Sequence, residues 1–239
     1  MARFRGMKAQ LRSLLAGADQ EEILARLAQL PAPELVGPLF SLLLAPGELV
    51  RWRAATALGA TVARMAEETP EAARVVMRRF LWHMNEESGN IGWGVAEAMG
   101  EAMARSALLA REYHKNLASY VQCPECAIGD DNFLEHPPLR LGVYWALGRL
   151  GEARPELLAH VAPDLLRALG QEQGAQARGL VARALGLGRV AGARAALEAL
   201  ARAGDPVDIY RGGTLERTTL GALAREALQA VQQGHKERA

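Results

Sequence analysis

Apolar positions along this chain recur at helical spacing, and the spacing itself recurs. VRWRAATALG (50–59), IGWGVAEAMG (91–100), LRLGVYWALG (139–148), ARGLVARALG (177–186) and LERTTLGALA (215–224) share one register when aligned on their last residue. They end on Gly59, Gly100, Gly148, Gly186 and Ala224, so successive copies lie 41, 48, 38 and 38 residues apart. Two positions earlier stand Ala57, Ala98, Ala146, Ala184 and Ala222, and one earlier Leu58, Met99, Leu147, Leu185 and Leu223. Nine and five positions before the end come Val50 and Ala54, Ile91 and Val95, Leu139 and Val143, Ala177 and Val181, Leu215 and Thr219. Offsets of four and four trace one stripe of an α-helix, not the alternation of a strand. A helical Gly costs up to about 1 kcal/mol relative to Ala. Its return at one place predicts that another helix approaches closely there.

Between these inner helices lie further helical stretches: PELVGPLFSLLLA (33–45), PEAARVVMRRFLWHM (70–84), LLAREYHKNLASYV (108–121), PELLAHVAPDLLRAL (155–169) and AGARAALEALARA (191–203). Three open on Pro-Glu, which suits a first turn through the fixed φ of Pro and the helix dipole. The unit is helix–turn–helix, and DQEEILARLAQL (19–30) reads as an N-terminal cap. A helix pair cannot bury its apolar face alone, so neighbours stack. The expected fold is all-α: an α-α superhelix, or solenoid, of about five helix pairs with a capping helix. It forms one domain over 1–239, with the cap in 1–32, repeats over 33–233 and a frayed tail at 234–239.

VRWRAATALG and its copies resemble HEAT repeats, of the short bacterial type also seen in phycobilin lyases. NEESGNIGWGVAEAMGE together with NFLEHPPLRLGVYWALGRL is similar to a bacterial HEAT-repeat family that carries no assigned activity. The resemblance spans about 33–233. It implies the superhelical fold and an extended concave surface, and no particular reaction or bilin.

Where the copies differ, function is to be sought. Eight positions before the terminal small residue stand Arg51, Gly92, Arg140, Arg178 and Glu216. In HEAT-like repeats an Arg here links neighbouring turns. Gly92 and Gly94 instead strip side chains from either side of Trp93, leaving bare N–H groups that suit an anion or carboxylate, with Asn90 as N-cap. The alternative is that the glycines only let a neighbouring segment pack close.

Two turns are long, QCPECAIGDDNFLEHPP (122–138) and GDPVDIYRGGT (204–214). Equivalent turns of a solenoid share one edge, often the binding edge. Glu86 and Glu87 are expected beside Asp130, Asp131, Glu135 and His136 of the next repeat. Those carboxylates suit a hard cation or acid–base work, or serve as solvated and capping groups. His136 is held by Pro137 and Pro138 and is the best-placed titratable group. Cys123-Pro-Glu-Cys126 has the spacing of half a zinc site, to which His136, His114 or Glu135 could add ligands; a redox pair and two inert cysteines are the other readings. Trp52 and Trp93 share a register position, with Tyr144 and Trp145 one repeat on. They either line a groove for a flat ligand, peptide or unpaired base, or fill the core.

Half the residues are hydrophobic and the net charge is +1, which gives no general attraction to nucleic acid or anionic membrane. No apolar run reaches the ~18 residues of a membrane span. The N-terminus lacks a secretory pattern, and two closely spaced cysteines fit a cytoplasmic protein. No P-loop, dinucleotide fingerprint, nucleophile elbow or HExxH occurs. The expected function is a non-enzymatic protein-binding scaffold using the concave groove and the turn edge, with Glu86, Glu87, Asn90, Gly92, Trp93, Gly94, Asp131, Glu135, His136 and Arg140 as contact residues. One alternative is a metal or small-ligand site on that edge, catalytic or not, with zinc on Cys123, Cys126 and His136. A second is a HEAT-like nucleic-acid reader, which needs a basic concave face that the balanced charge does not promise.

Overall fold

The structure is a computed structural model that describes residues 2–85, 92–122 and 132–236. Among these residues the chain forms twelve α-helices, two short 3-10 turns and one two-stranded sheet. It divides into two compact units, Met1–Tyr113 with Tyr210–Leu215, and His114–Ile209 with Glu216–Ala239.

The first unit contains α1 (Ala2–Gly17), α2 (Gln20–Ala28), α3 (Ala32–Leu42), α4 (Glu48–Glu68), α5 (Pro70–Met84), α6 (Val95–Arg105) and the start of α7 (Ala107–Ser119). Its centre is α4, which packs against α1, α2, α3, α5 and α6. Leu11, Leu15, Leu35, Leu39, Leu58, Val62, Met77 and Phe80 are its fully buried anchors. The predicted close approach is present: a Cβ built on Gly59 would lie 2.6 Å from the Ala98 carbonyl oxygen and from the Glu101 Cβ of α6. Sequence signals set the helix starts. Asp19 Oδ1 accepts the Glu22 N–H at 2.8 Å to cap α2, and Pro70 opens α5.

The second unit holds the rest of α7, then α8 (Pro137–Ala153), α9 (Ala162–Gln171), α10 (Ala175–Leu187), α11 (Arg194–Leu200) and α12 (Leu220–Lys236). Here α10 packs against α8, α9 and α12, and Gly186 faces the backbone of Ala227. From α3 onward the helices fall along the chain in the order of the predicted helical stretches.

Three expectations are corrected. The fold is not wholly α, because β1 (Pro206–Arg211) and β2 (Thr214–Thr219) pair as an antiparallel hairpin. Gly212 and Gly213 both take positive φ, 57° and 86°, as a two-residue hairpin turn requires. The stretch 215–224 is therefore strand first, and α12 begins only at Leu220, where Thr219 Oγ1 accepts the Ala222 N–H at 3.1 Å. The outer segment 155–169 is broken: a 3-10 turn over Pro155–Leu158 precedes α9, whose first turn carries Pro163. Pro163 has no N–H to continue an earlier helix. The N-terminal cap region holds two helices, α1 and α2, rather than one.

Candidate functional site

The register position eight before the small residue shows its role directly. Arg51 Nη1 donates to the Ala45 carbonyl at 3.1 Å, Arg140 Nη1 to the Leu134 carbonyl at 2.7 Å, and Arg178 Nε to the Leu169 carbonyl at 3.2 Å. Arg51 and Arg140 each tie their helix to the segment just before it, and Arg178 ties α10 to the last turn of α9. Arg140 also donates to the Glu135 carbonyl (3.0 Å) and to Glu172 Oε1 (3.0 Å), the oxygen that Tyr144 contacts at 2.9 Å. Arg140 thereby holds the segment that ends in Glu135 and His136. His136 occupies the N-cap position of α8 without a side-chain cap bond, and both residues are exposed.

Gly92 takes the place of that Arg, and its backbone does the packing. A Cβ there would lie 3.0 Å from the His83 carbonyl oxygen. Gly94 is the N-cap of α6 at φ 73°, a left-handed conformation that a side chain would resist. α6 thus opens at Val95, and Asn90, the residue expected to cap it, lies outside the described residues. Trp93 lies in the turn before α6 and stays 38 % exposed. Glu86, Glu87, Asn90, Cys123, Cys126, Asp130 and Asp131 lie outside the described residues. Among the described residues, no three His, Cys, Asp or Glu side chains converge around a metal-sized space.

The aromatic row has several fates. Tyr144 and Trp145 are buried. Trp52 stacks on Tyr210, with ring centroids 5.1 Å apart and planes 12° from parallel.

Two features of the first unit were missed in the sequence. One is Glu97, half-buried in the first turn of α6. Burial pushes its carboxyl up to about 7; among the described residues its hydrogen-bond donor is its own backbone N–H and it has no cation partner. Glu101, one turn on, is fully buried but accepts from Arg105 Nε. The signal for Glu97 was its place three before Gly100, where the other copies have Thr56, Trp145, Arg183 and Gly221.

The other is the outer face of α5. Its buried stripe is Ala73, Val76, Met77, Phe80 and Met84. Val75 and Trp82 lie off that stripe and are 54 % and 56 % exposed. Between them stand exposed Arg78, bonded to Glu71 at 2.8 Å, and exposed Arg79, whose guanidinium lies 4.3 Å from the centroid of Phe40. Val75, Arg78, Arg79 and Trp82 have the spacing of one helical face. Two apolar residues off the core stripe of an amphipathic helix could have marked this face from the sequence.

No protein-family model matches the chain, and no curated protein matches it. Among solved structures, the crystal structure of an engineered protein is similar to it with a TM-score of 0.53 and 17% identity, over 96% of this chain and 97% of that one. A second engineered protein covers 95% of this chain and 58% of its own, at 15% identity and a TM-score of 0.48. The first likeness concerns fold alone, so any function has to be argued from the residues of this chain.

Proposed function

We propose that the chain is a HEAT-like helical-repeat adaptor, non-enzymatic, that holds a segment of another protein. The observation that carries this reading is the outer face of α5, where Trp82 and Val75 stand in solvent with Arg78 and Arg79 between them. Trp and Arg dominate the energetics of protein interfaces, and a large exposed indole in a folded helix calls for a reason that the core does not supply. Trp82 lies one turn before Asn85, the first residue of the stretch NEESGNIGWG. Photo-crosslinking tests it, with p-benzoylphenylalanine in place of Trp82 in the native cell. The reading expects a covalent adduct to a polypeptide, lost when Val75→Asp is added. Adducts to nucleic acid or lipid alone, or no adduct, would refute it.

A second reading has its own observation. A carboxyl that exchanges its proton near neutral pH is suited to acid–base work or to a small cationic ligand, and Glu97 is such a group. Native mass spectrometry of the purified protein tests this. A bound small molecule that disappears in Glu97→Gln supports it, and a bare mass for both proteins counts against it.

A further inference from the structure

The face of α1 turned away from the core has an order of its own. Leu11 and Leu15 are buried on its inner side. On the outer side Arg5, Lys8, Ala9, Arg12, Ser13 and Ala16 line a shallow groove of about 470 Å³. At 100° per residue, Lys8, Arg12 and Arg5 form one edge of this face, and Ala16, Ala9 and Ser13 form the strip beside it. Arg3, two residues before Arg5, is bonded to Glu34 at 2.8 Å through both carboxylate oxygens. Arg5, Lys8 and Arg12 have no hydrogen-bond or ion-pair partner among the described residues, and α1 contains no acidic residue. Three unmatched cations lie beside a floor of small side chains.

We propose that this groove seats an acid-faced α-helix of another protein. Glu or Asp side chains of that helix meet Arg5, Lys8 and Arg12, and its backbone lies over Ala9, Ser13 and Ala16. The cations are three and four residues apart, about 4.5 and 6 Å along the axis, the step at which a second helix presents carboxylates at i, i+3 and i+7. Small side chains let two helix backbones come close. Nucleic acid fits less well: the groove has no aromatic side chain for a base to stack on, and the net charge of +1 supplies no wider field. A membrane surface fits less well too, because the apolar side of α1 is already buried in the protein. The inference shares the adaptor reading's class of partner and uses a different surface.

The test is fluorescence anisotropy on the full chain with a synthetic helical peptide carrying Glu at i, i+3 and i+7. Its partner probes are the same peptide with Lys, a single-stranded oligonucleotide of equal charge, and phosphatidylserine vesicles. The Glu peptide is expected to bind, and Arg5→Glu with Lys8→Glu and Arg12→Glu to weaken it at least about tenfold while strengthening the Lys peptide by a similar factor. Ala9→Trp keeps every charge and fills the groove, and it too weakens the Glu peptide about tenfold. All four positions face solvent or are half-buried, and circular dichroism verifies the fold of each variant. The proposal is overturned if the Glu peptide does not bind, or if the charge swap or the groove-filling variant leaves its affinity unchanged. It is equally overturned if the oligonucleotide or the vesicles bind the wild type as tightly as the peptide. A positive result at α1 with no adduct at position 82 would remove the α5 reading alone, and the reverse would remove this one alone.

Discussion

Trp52 of α4 and Tyr210 at the hairpin tip lie face to face at 5.1 Å within the first unit. The phenol oxygen of Tyr210 reaches Gln20 Oε1 at 3.1 Å and accepts from Thr56 Oγ1 at the edge of hydrogen-bond distance, 3.5 Å. Burial raises its pKa, so the ring stays a neutral donor at physiological pH. A stacked pair contributes about 0.5–1.5 kcal/mol beyond the area it buries. Tyr210→Phe keeps the stack and removes the hydroxyl's bond to Gln20 and its longer one from Thr56, for about 1 kcal/mol. Tyr210→Ala removes both and is expected to cost roughly 3 kcal/mol. Urea denaturation monitored by Trp fluorescence checks the order; equal losses for the two variants would mean that the stack contributes nothing.

Arg53 secures the same region from beneath. It is buried, donating Nη1 to the Leu15 carbonyl at 2.8 Å and Nε to the Gly213 carbonyl at 3.0 Å. Arg53→Met would leave two carbonyls without these donors, an expected loss of roughly 2–4 kcal/mol. Arg53→Lys should restore little, because an ammonium cannot span two acceptors in a fixed fork. Thermal denaturation of the two variants decides this, and a Lys variant as stable as wild type would show that charge alone suffices.

Much of this first unit was legible from the sequence. The Pro-Glu opening and apolar spacing of 70–84 match α5 to the residue, and the recurrent Gly59 marked a helix crossing. The hairpin was missed although its signals stand in the chain: alternating Val207, Ile209 and Arg211, a Gly-Gly turn, and the paired Thr218 and Thr219. The repeat register drew 215–224 into a helix because its last five residues fit, while the first five obey strand chemistry. Glu97 was missed for a related reason. A register built on apolar positions leaves out the intervening ones, where a polar residue departs from its equivalents without breaking the pattern.

Glu97 gives the chain a pH dependence of stated sign. Its carboxyl titrates near 7 in the fold against an ordinary value of 4.5, with burial as the cause. The folded state therefore holds a proton that the unfolded state has released between those values. Stability from this group is complete below pH 4.5, declines as pH rises through that window, and levels off above 7. Glu97→Gln removes the dependence. It should match wild type near pH 4 and exceed it above pH 7 by roughly 2 kcal/mol, allowing for the solvent that reaches a half-buried group. Denaturant titrations at the two pH values test this; equal stability at both would place the carboxyl in water.

Two glycines of the first unit separate helix propensity from packing. Gly6 lies inside α1 with nothing beyond its own stretch of helix backbone within 4 Å of where a Cβ would sit, whereas at Gly59 that position is 2.6 Å from the Ala98 carbonyl oxygen and 2.9 Å from the Ala102 nitrogen. Both substitutions to Ala gain helix propensity, so Gly6→Ala should stabilise by about 0.5–1 kcal/mol. At Gly59 the obstacle is the backbone of α6, which cannot rotate away as a side chain can, and the two helices must part along their whole contact. The overpacking outweighs the propensity gain, for a net loss of about 2–3 kcal/mol. Opposite signs for the same chemical change, measured by chemical denaturation, would establish that the repeated small residue is set by the crossing of α4 and α6. Like signs would return it to composition.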